Sequence, residues 1–121
     1  MAIPSGYGTE VLKKHFKAGL SDSDEKLIDG VADHIYTVLS ISITETGTAD
    51  EIVHMYIYQG ATNDTTNKVE LLRNKSLPSG STFIYNERIV LVGTDELVIK
   101  TGTSANVDVW CSYIDQDWND S

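Results

Sequence analysis

From Ile35 to Thr44 the chain reads IYTVLSISIT, with Leu39, Ile41 and Ile43 alternating against Ser40, Ser42 and Thr44. A period of two puts one face into a core and leaves the other wet, the pattern of a β-strand. Shorter runs of the same kind follow. Glu51 to Gln59 carries Val53, Met55 and Ile57 on one face and His54, Tyr56 and Tyr58 on the other. That second face is not simply polar, so a cover is expected over it too, another subunit among the choices. Lys68 to Lys75 returns Val69, Leu71 and Leu72. STFIYNERIVLV, residues 81–92, offers Phe83, Tyr85, Ile89 and Leu91, with a bend or change of partner expected near Asn86. DELVIKT follows, and Asn106 to Ile114 closes the series with Val107, Val109, Cys111 and Tyr113 inward and Asp108, Trp110 and Ser112 outward. Lys26 to His34 is ambiguous: Leu27, Ile28, Val31 and Ala32 fit a helical face, while Lys26 to Gly30, KLIDG, fits a short first strand turning through VADH into the main one. Gly30 and the strand that follows leave little room for a helix, so a strand is expected.

Between these runs sit turns with recognisable chemistry: ETGTAD around Gly47, the apolar-poor GATNDTTN, and LPSG, where Pro78 fixes φ and Gly80 is free of that limit. About seven short strands at roughly ten-residue spacing predict an all-β fold, an antiparallel β-sandwich or jelly roll. No gap after residue 35 is long and helical enough for the crossovers of a parallel sheet. Residues 1–19 differ. Pro4, Gly6 and Gly8 predict an extended arm. Thr9 then suits a helix cap, with Val11, Leu12, His15 and Phe16 on one face and Lys13, Lys14 and Lys17 on the other. Such a short amphipathic helix must dock, on its own sheet or on a neighbour. The expected organisation is therefore an arm with a short helix over 1–19, a sandwich over 20–115, and an acidic tail over 116–121.

Composition narrows the function. Eighteen Asp and Glu against nine Lys and Arg give a net charge of −9, which disfavours nucleic acid and anionic lipid as partners. The single Cys111 cannot form an internal disulfide and alternates with Val109 and Tyr113 as a buried hydrophobe would. The first residues lack the apolar core of a signal peptide, so synthesis in the cytoplasm is expected, and no run reaches the length of a spanning helix. His15, His34 and His54 lie on different elements without metal-ligand spacing. Ser21 to Glu25, SDSDE, lacks the order of a calcium loop and reads as a solvated turn. Asp95 and Glu96 are adjacent, so in a strand they point apart and make a poor acid–base pair. Sequons at Asn63, Asn74 and Asn119 fit the chance level of an Asn- and Thr-rich chain. No phosphate-loop pattern occurs. The expectation is a non-enzyme with no catalytic residues, metal or cofactor. Exposed aromatics suit interfaces, so Tyr56, Tyr58, Trp110 and Trp118 join Ile3, Tyr7, Val11, Leu12 and Phe16 of the arm as interface candidates.

MAIPSGYGTEVLKK, HIYTVLSISIT, LPSGSTFIYNERIVLVGTDELVIKT and VDVWCSYID together resemble a group of small virion proteins of tailed bacteriophages, cyanophages among them. The similar residues span most of the chain but are core and turn positions, while SDSDEKLIDG and the Tyr56/Tyr58 pair depart from the group's pattern. The resemblance implies a structural component of the particle: a head decoration protein, or a small neck, tail or fibre-attachment protein. A decoration protein is expected to dock on the capsid through its arm, residues 1–16, with the sandwich facing outward, so that deleting residues 2–12 would abolish binding. Its partners would then be other phage structural proteins, such as the major capsid protein, and further copies of itself, with a trimer as the expected oligomer. A receptor- or glycan-binding module using Trp110, Tyr56 or Tyr58 is the alternative.

Overall fold

The computed structural model describes residues 9–60, 65–103 and 106–118. Nine strands run through them: β1 (Thr9–Lys17), β2 (Glu25–Asp29), β3 (His34–Glu45), β4 (Glu51–Tyr58), β5 (Lys68–Leu77), β6 (Thr82–Tyr85), β7 (Ile89–Val92), β8 (Glu96–Thr101) and β9 (Val107–Asp117). The one helical element among the described residues is a 3-10 turn at Thr65–Asn67. One sheet has the order β1-β9-β3, with β6 and β7 lying end to end along the far edge of β3; the other has the order β2-β8-β4-β5. All pairings are antiparallel. Apart from the β4–β5 hairpin and the broken strand β6/β7, each connection passes from one sheet to the other. That alternation is the jelly-roll connectivity of a double-sheet sandwich. The expected fold class is therefore the observed one, and the short strand expected at Lys26 to Gly30 is β2.

The long strand keeps its core alternation only by breaking it once. Register with β9 slips between Val38 and Ser40, a bulge that inserts Leu39 as an extra residue. Tyr36 and Val38 face inward before the slip, Ile41 and Ile43 after it, and Leu39 is left on the outside. Leu39 was expected inward, and the bulge is why it is not. Leu27, Met55, Leu97, Ile99, Val107 and Cys111 meet these residues from both sheets to fill the core. Near Asn86 the predicted bend occurs, but β7 keeps the partner of β6, because both pair with β3.

Residues 9–17 form a strand where a helix was expected. All nine residues of β1 pair with β9, from Thr9 opposite Asp117 to Lys17 opposite Val109. A helix of two turns is unstable alone, whereas an edge position supplies backbone partners along the whole length. The sandwich thus begins at residue 9 rather than 20, and β9 extends into the expected tail as far as Asp117. The arm proper, Met1 to Gly8 with Ile3 and Tyr7, lies outside the described residues.

One end of the sandwich is closed by a close backbone approach. Gly30 N–H donates to Asp95 O at 3.0 Å, and a Cβ at Gly30 would sit 2.1 Å from Gly93 O and 2.3 Å from Asp95 O. Only glycine lets the turn after β2 reach the turn between β7 and β8.

Candidate docking face

The outer face of the five-stranded sheet is built by register. Leu12 stands opposite Ile114, Lys14 opposite Ser112, and Phe16 opposite Trp110 on β1 and β9. Across β3, Ser42 lies between Trp110 and Ile84, and Thr37 between Ile114 and Val90. Inward positions of these strands fill the core, so the outward set should be polar. It is not. Leu12 (72% exposed), Phe16, Leu39, Ile84, Val90, Val92 and Trp110 (44% exposed) all face solvent here. An apolar surface spread over five strands is uncommon on a monomer and is the kind of surface that contact sites use.

Part of it is aromatic. Phe16 and Trp110 stack with centroids 5.2 Å apart and planes 14° apart. The Lys14 ammonium lies 4.9 Å from the Trp110 ring centroid and 5.8 Å from that of Phe16, an attraction of the cation to both π-faces. Beside them Leu12, Leu39, Ser40 and Ser112 line a groove of about 610 Å³. The edge strand carrying Leu12 and Phe16 is tied down by charge. Lys13 Nζ donates to Asp115 Oδ2 at 2.9 Å, and His34 Nδ1 donates to Asp115 Oδ1 at 2.7 Å. Burial would push the Asp115 carboxyl up, but the Lys13 and His34 hydrogen bonds outweigh it and hold the group below its usual value. Asp115 in turn raises Lys13, chiefly through the hydrogen bond. His15 Nε2 lies 2.9 Å from Glu25 Oε2, linking β1 to β2.

The sequence-derived interface residues divide in space. Leu12, Phe16 and Trp110 meet on this face. Val11 is exposed but opposite the inward Asp115, on the other side of β1. Trp118 is half-buried past the end of β9, its backbone N–H donating to Asp33 O at 2.8 Å. Tyr56 and Tyr58 sit on the outer face of the second sheet and are buried there with Val98, Tyr56 at 1% exposure. Their cover comes from the same chain: both phenols donate to the Asp24 carboxylate, from Tyr58 at 3.2 Å. Burial, then Asp24, pushes the Tyr56 phenol far up. The SDSDE loop is thus a strap, and both tyrosines are buried rather than exposed as the interface expectation required. Leu39, Ile84, Val90 and Val92 were missed. TFIY and IVLV are apolar at nearly every position, a run that already marks both faces as covered.

Chemistry elsewhere is sparse. Burial pushes the Cys111 thiol up to about 12, which leaves it an inert hydrophobe. Among the described residues no three His, Cys, Asp or Glu side chains gather in a metal-binding group, and no helix is long and apolar enough to cross a membrane.

No known family model and no curated protein matches the chain. Solved structures do share its fold. A protein of the disulfide-linked pili that form Bacillus endospore appendages matches at 18% identity over 98% of this chain and 97% of its own, with a TM-score of 0.55. A chain of the T13 viral particle of IBDV matches at 11% identity, TM-score 0.58, over 93% of this chain and 31% of its own. A chain of the Gx strain of infectious bursal disease virus matches at 12% identity, TM-score 0.53, over 92% of this chain and 32% of its own. This chain therefore spans about a third of the length of those two viral proteins. The double-sheet jelly roll is common to viral particles and to a bacterial surface filament.

Proposed function

We propose that the protein is a non-enzymatic structural component of a virion, and that it attaches to the particle through the outer face of the β1-β9-β3-β6/β7 sheet. The observation that carries this reading is the run of outward apolar side chains on that face. A jelly roll needs one apolar face per sheet for its own core, so a second on the same sheet is surplus to folding and suited to a partner. The fold held in common with viral particle chains and the resemblance to small tailed-phage virion proteins support the same assignment. In its finer form it is a capsid decoration protein, oligomeric and expected as a trimer, with the major capsid protein as partner. The neck, tail and fibre are the other stations on a phage particle.

The fold changes how docking is to be tested. Removing residues 2–12 would cut four residues from β1 and disturb the sheet. Charging the face leaves backbone pairing intact. Leu12→Glu and Trp110→Glu should each keep a native circular-dichroism spectrum and abolish retention on particles, whereas Met1 to Gly8 can be deleted separately to measure the arm's share. Cryo-electron microscopy of purified particles would place the protein on the head lattice, or at the neck or tail. A protein absent from particles, or charged variants retained as well as the wild type, would refute the reading.

A filament subunit is the second reading, favoured by the near-complete mutual coverage with the spore-appendage protein. Linear disulfide-linked assembly needs two accessible cysteines per subunit, however, and these 121 residues hold one, which is buried.

A further inference from the structure

Nine cationic residues in a chain of net charge −9 should be scattered among carboxylates. Three of them instead sit together. On the outer face of the β2-β8-β4-β5 sheet, Lys68, Arg73 and Lys100 converge with His54 and Asn74 over Tyr56, lining a cleft of about 340 Å³ that also includes Glu70. Glu70 lies 3.9 Å from Lys68, while Arg73 and Lys100 have no carboxylate within 4.0 Å among the described residues. The cleft therefore carries about two uncompensated positive charges.

The arrangement is built rather than incidental. Lys100 stands opposite His54 across the β8–β4 pair, and Lys68 opposite Tyr58 across the β4–β5 pair. The Lys68 ammonium rests 4.0 Å from the Tyr56 ring centroid, with Lys100 at 6.0 Å, so the buried ring holds one cation in place and attracts the other. Between Met55, opposite Leu72, and Val53, opposite Lys75, β5 carries one residue too many. The bulge falls at Arg73 and Asn74, and Asn74 takes φ 53°, the left-handed region asparagine tolerates better than most residues. Its N–H donates to His54 Nδ1 at 3.3 Å. With Nδ1 accepting, the proton of a neutral His54 ring sits on Nε2 and adds a donor beside the cations.

We infer that this cleft is a binding site for a single oxyanion, a carboxylate, sulfate or phosphate group on a small ligand. Arg73 supplies the planar fork that matches such a group, Lys100 and Lys68 supply charge, and His54 an N–H donor. A polyanion is disfavoured, because the remaining surface of a −9 chain repels it while a single group meets only the cleft. The site lies on the sheet opposite the docking face and stands independently of the virion assignment.

The test is a titration followed by amide chemical shifts at low ionic strength, using sodium sulfate, sodium phosphate and sodium glucuronate, with sodium chloride at matched ionic strength as the control. Saturable shifts confined to the neighbourhoods of residues 54, 68–74 and 100 are expected, weakened about tenfold by Arg73→Ala or Lys100→Ala and unaffected by Lys17→Ala on the other sheet. Asn74→Gly, which keeps the left-handed bulge, should retain binding. Saturation by sulfate and phosphate alone would name a tetrahedral anion, and by glucuronate alone a carboxylate; either supports the site. Non-saturating shifts equal to those from chloride, or binding untouched by Arg73→Ala and Lys100→Ala, would overturn it.

Discussion

Replacing Asp115 with asparagine removes one charge while keeping the shape of the group that holds β1 to the rest of the sandwich. The carboxylate is 7% exposed and accepts from Lys13 at 2.9 Å and from His34 at 2.7 Å. A buried hydrogen bond to a charged group is worth about 1.5–3 kcal/mol. The Lys13 side chain is 46% exposed, so its share is nearer the ~0.5–1 kcal/mol of a surface pair. Asparagine can still accept from His34, retaining about 1 kcal/mol of that bond. Asp115→Asn should therefore cost about 2 kcal/mol at pH 7. The pH dependence has a fixed sign. The folded carboxyl lies below its ordinary value, so its stabilisation is complete above the unfolded value of about 3.9 and is lost as pH falls through the folded value. Urea denaturation of both proteins from pH 7 to pH 3 should show a gap that is full at neutrality and narrows below about pH 4. Amide exchange should also rise first in β1, from Leu12 to His15. A gap under about 0.5 kcal/mol at pH 7, or one that stays constant into acid, would refute the assignment of Asp115 as the clamp.

Three further outcomes are expected. Gly30→Ala places a methyl group against Gly93 O and Asp95 O and should cost at least about 2 kcal/mol by overpacking; a thermal midpoint within a degree of the wild type would contradict that close approach. Tyr56→Phe removes one of the two phenol bonds to Asp24 and should cost about 1–2 kcal/mol while increasing proteolytic cleavage within residues 21–24, measured by urea melts and limited digestion. Cys111 should be silent to a thiol reagent at pH 8 in the folded protein and react fully in denaturant, since burial raises its thiol to about 12; fast native labelling would place it outside the core.

The sheets were legible because their signal is local. Val107, Val109 and Cys111 alternate with Asp108 and Trp110, and the burial follows that alternation. β1 was not legible for the same reason in reverse. Val11, Leu12, His15 and Phe16 fit a helical face as well as they fit a strand, and what decides between them is β9, about a hundred residues away in sequence. A local pattern cannot contain that partner. The covered face of Tyr56 and Tyr58 was legible as covered; that the cover is Asp24 of the same chain, and not a subunit, depends on how a polar loop folds back. The cation cleft was invisible because Arg73 takes its place through a bulge, and bulges shift register without changing composition.

The position of β9 between β1 and β3 also dictates the order in which the molecule can be made. Until Val107–Asp117 has left the ribosome, β1 and β3 have no common neighbour, and the sheet that bears the proposed docking face cannot close. The β4–β5 hairpin, by contrast, pairs strands nearly adjacent in sequence and can form early. Pairings across most of the chain are the slow ones. The apolar side chains of β1 and β3 therefore stay open to unwanted partners until β9 has been made, and β9 acts as a bolt that assembles the surface by joining its two neighbours.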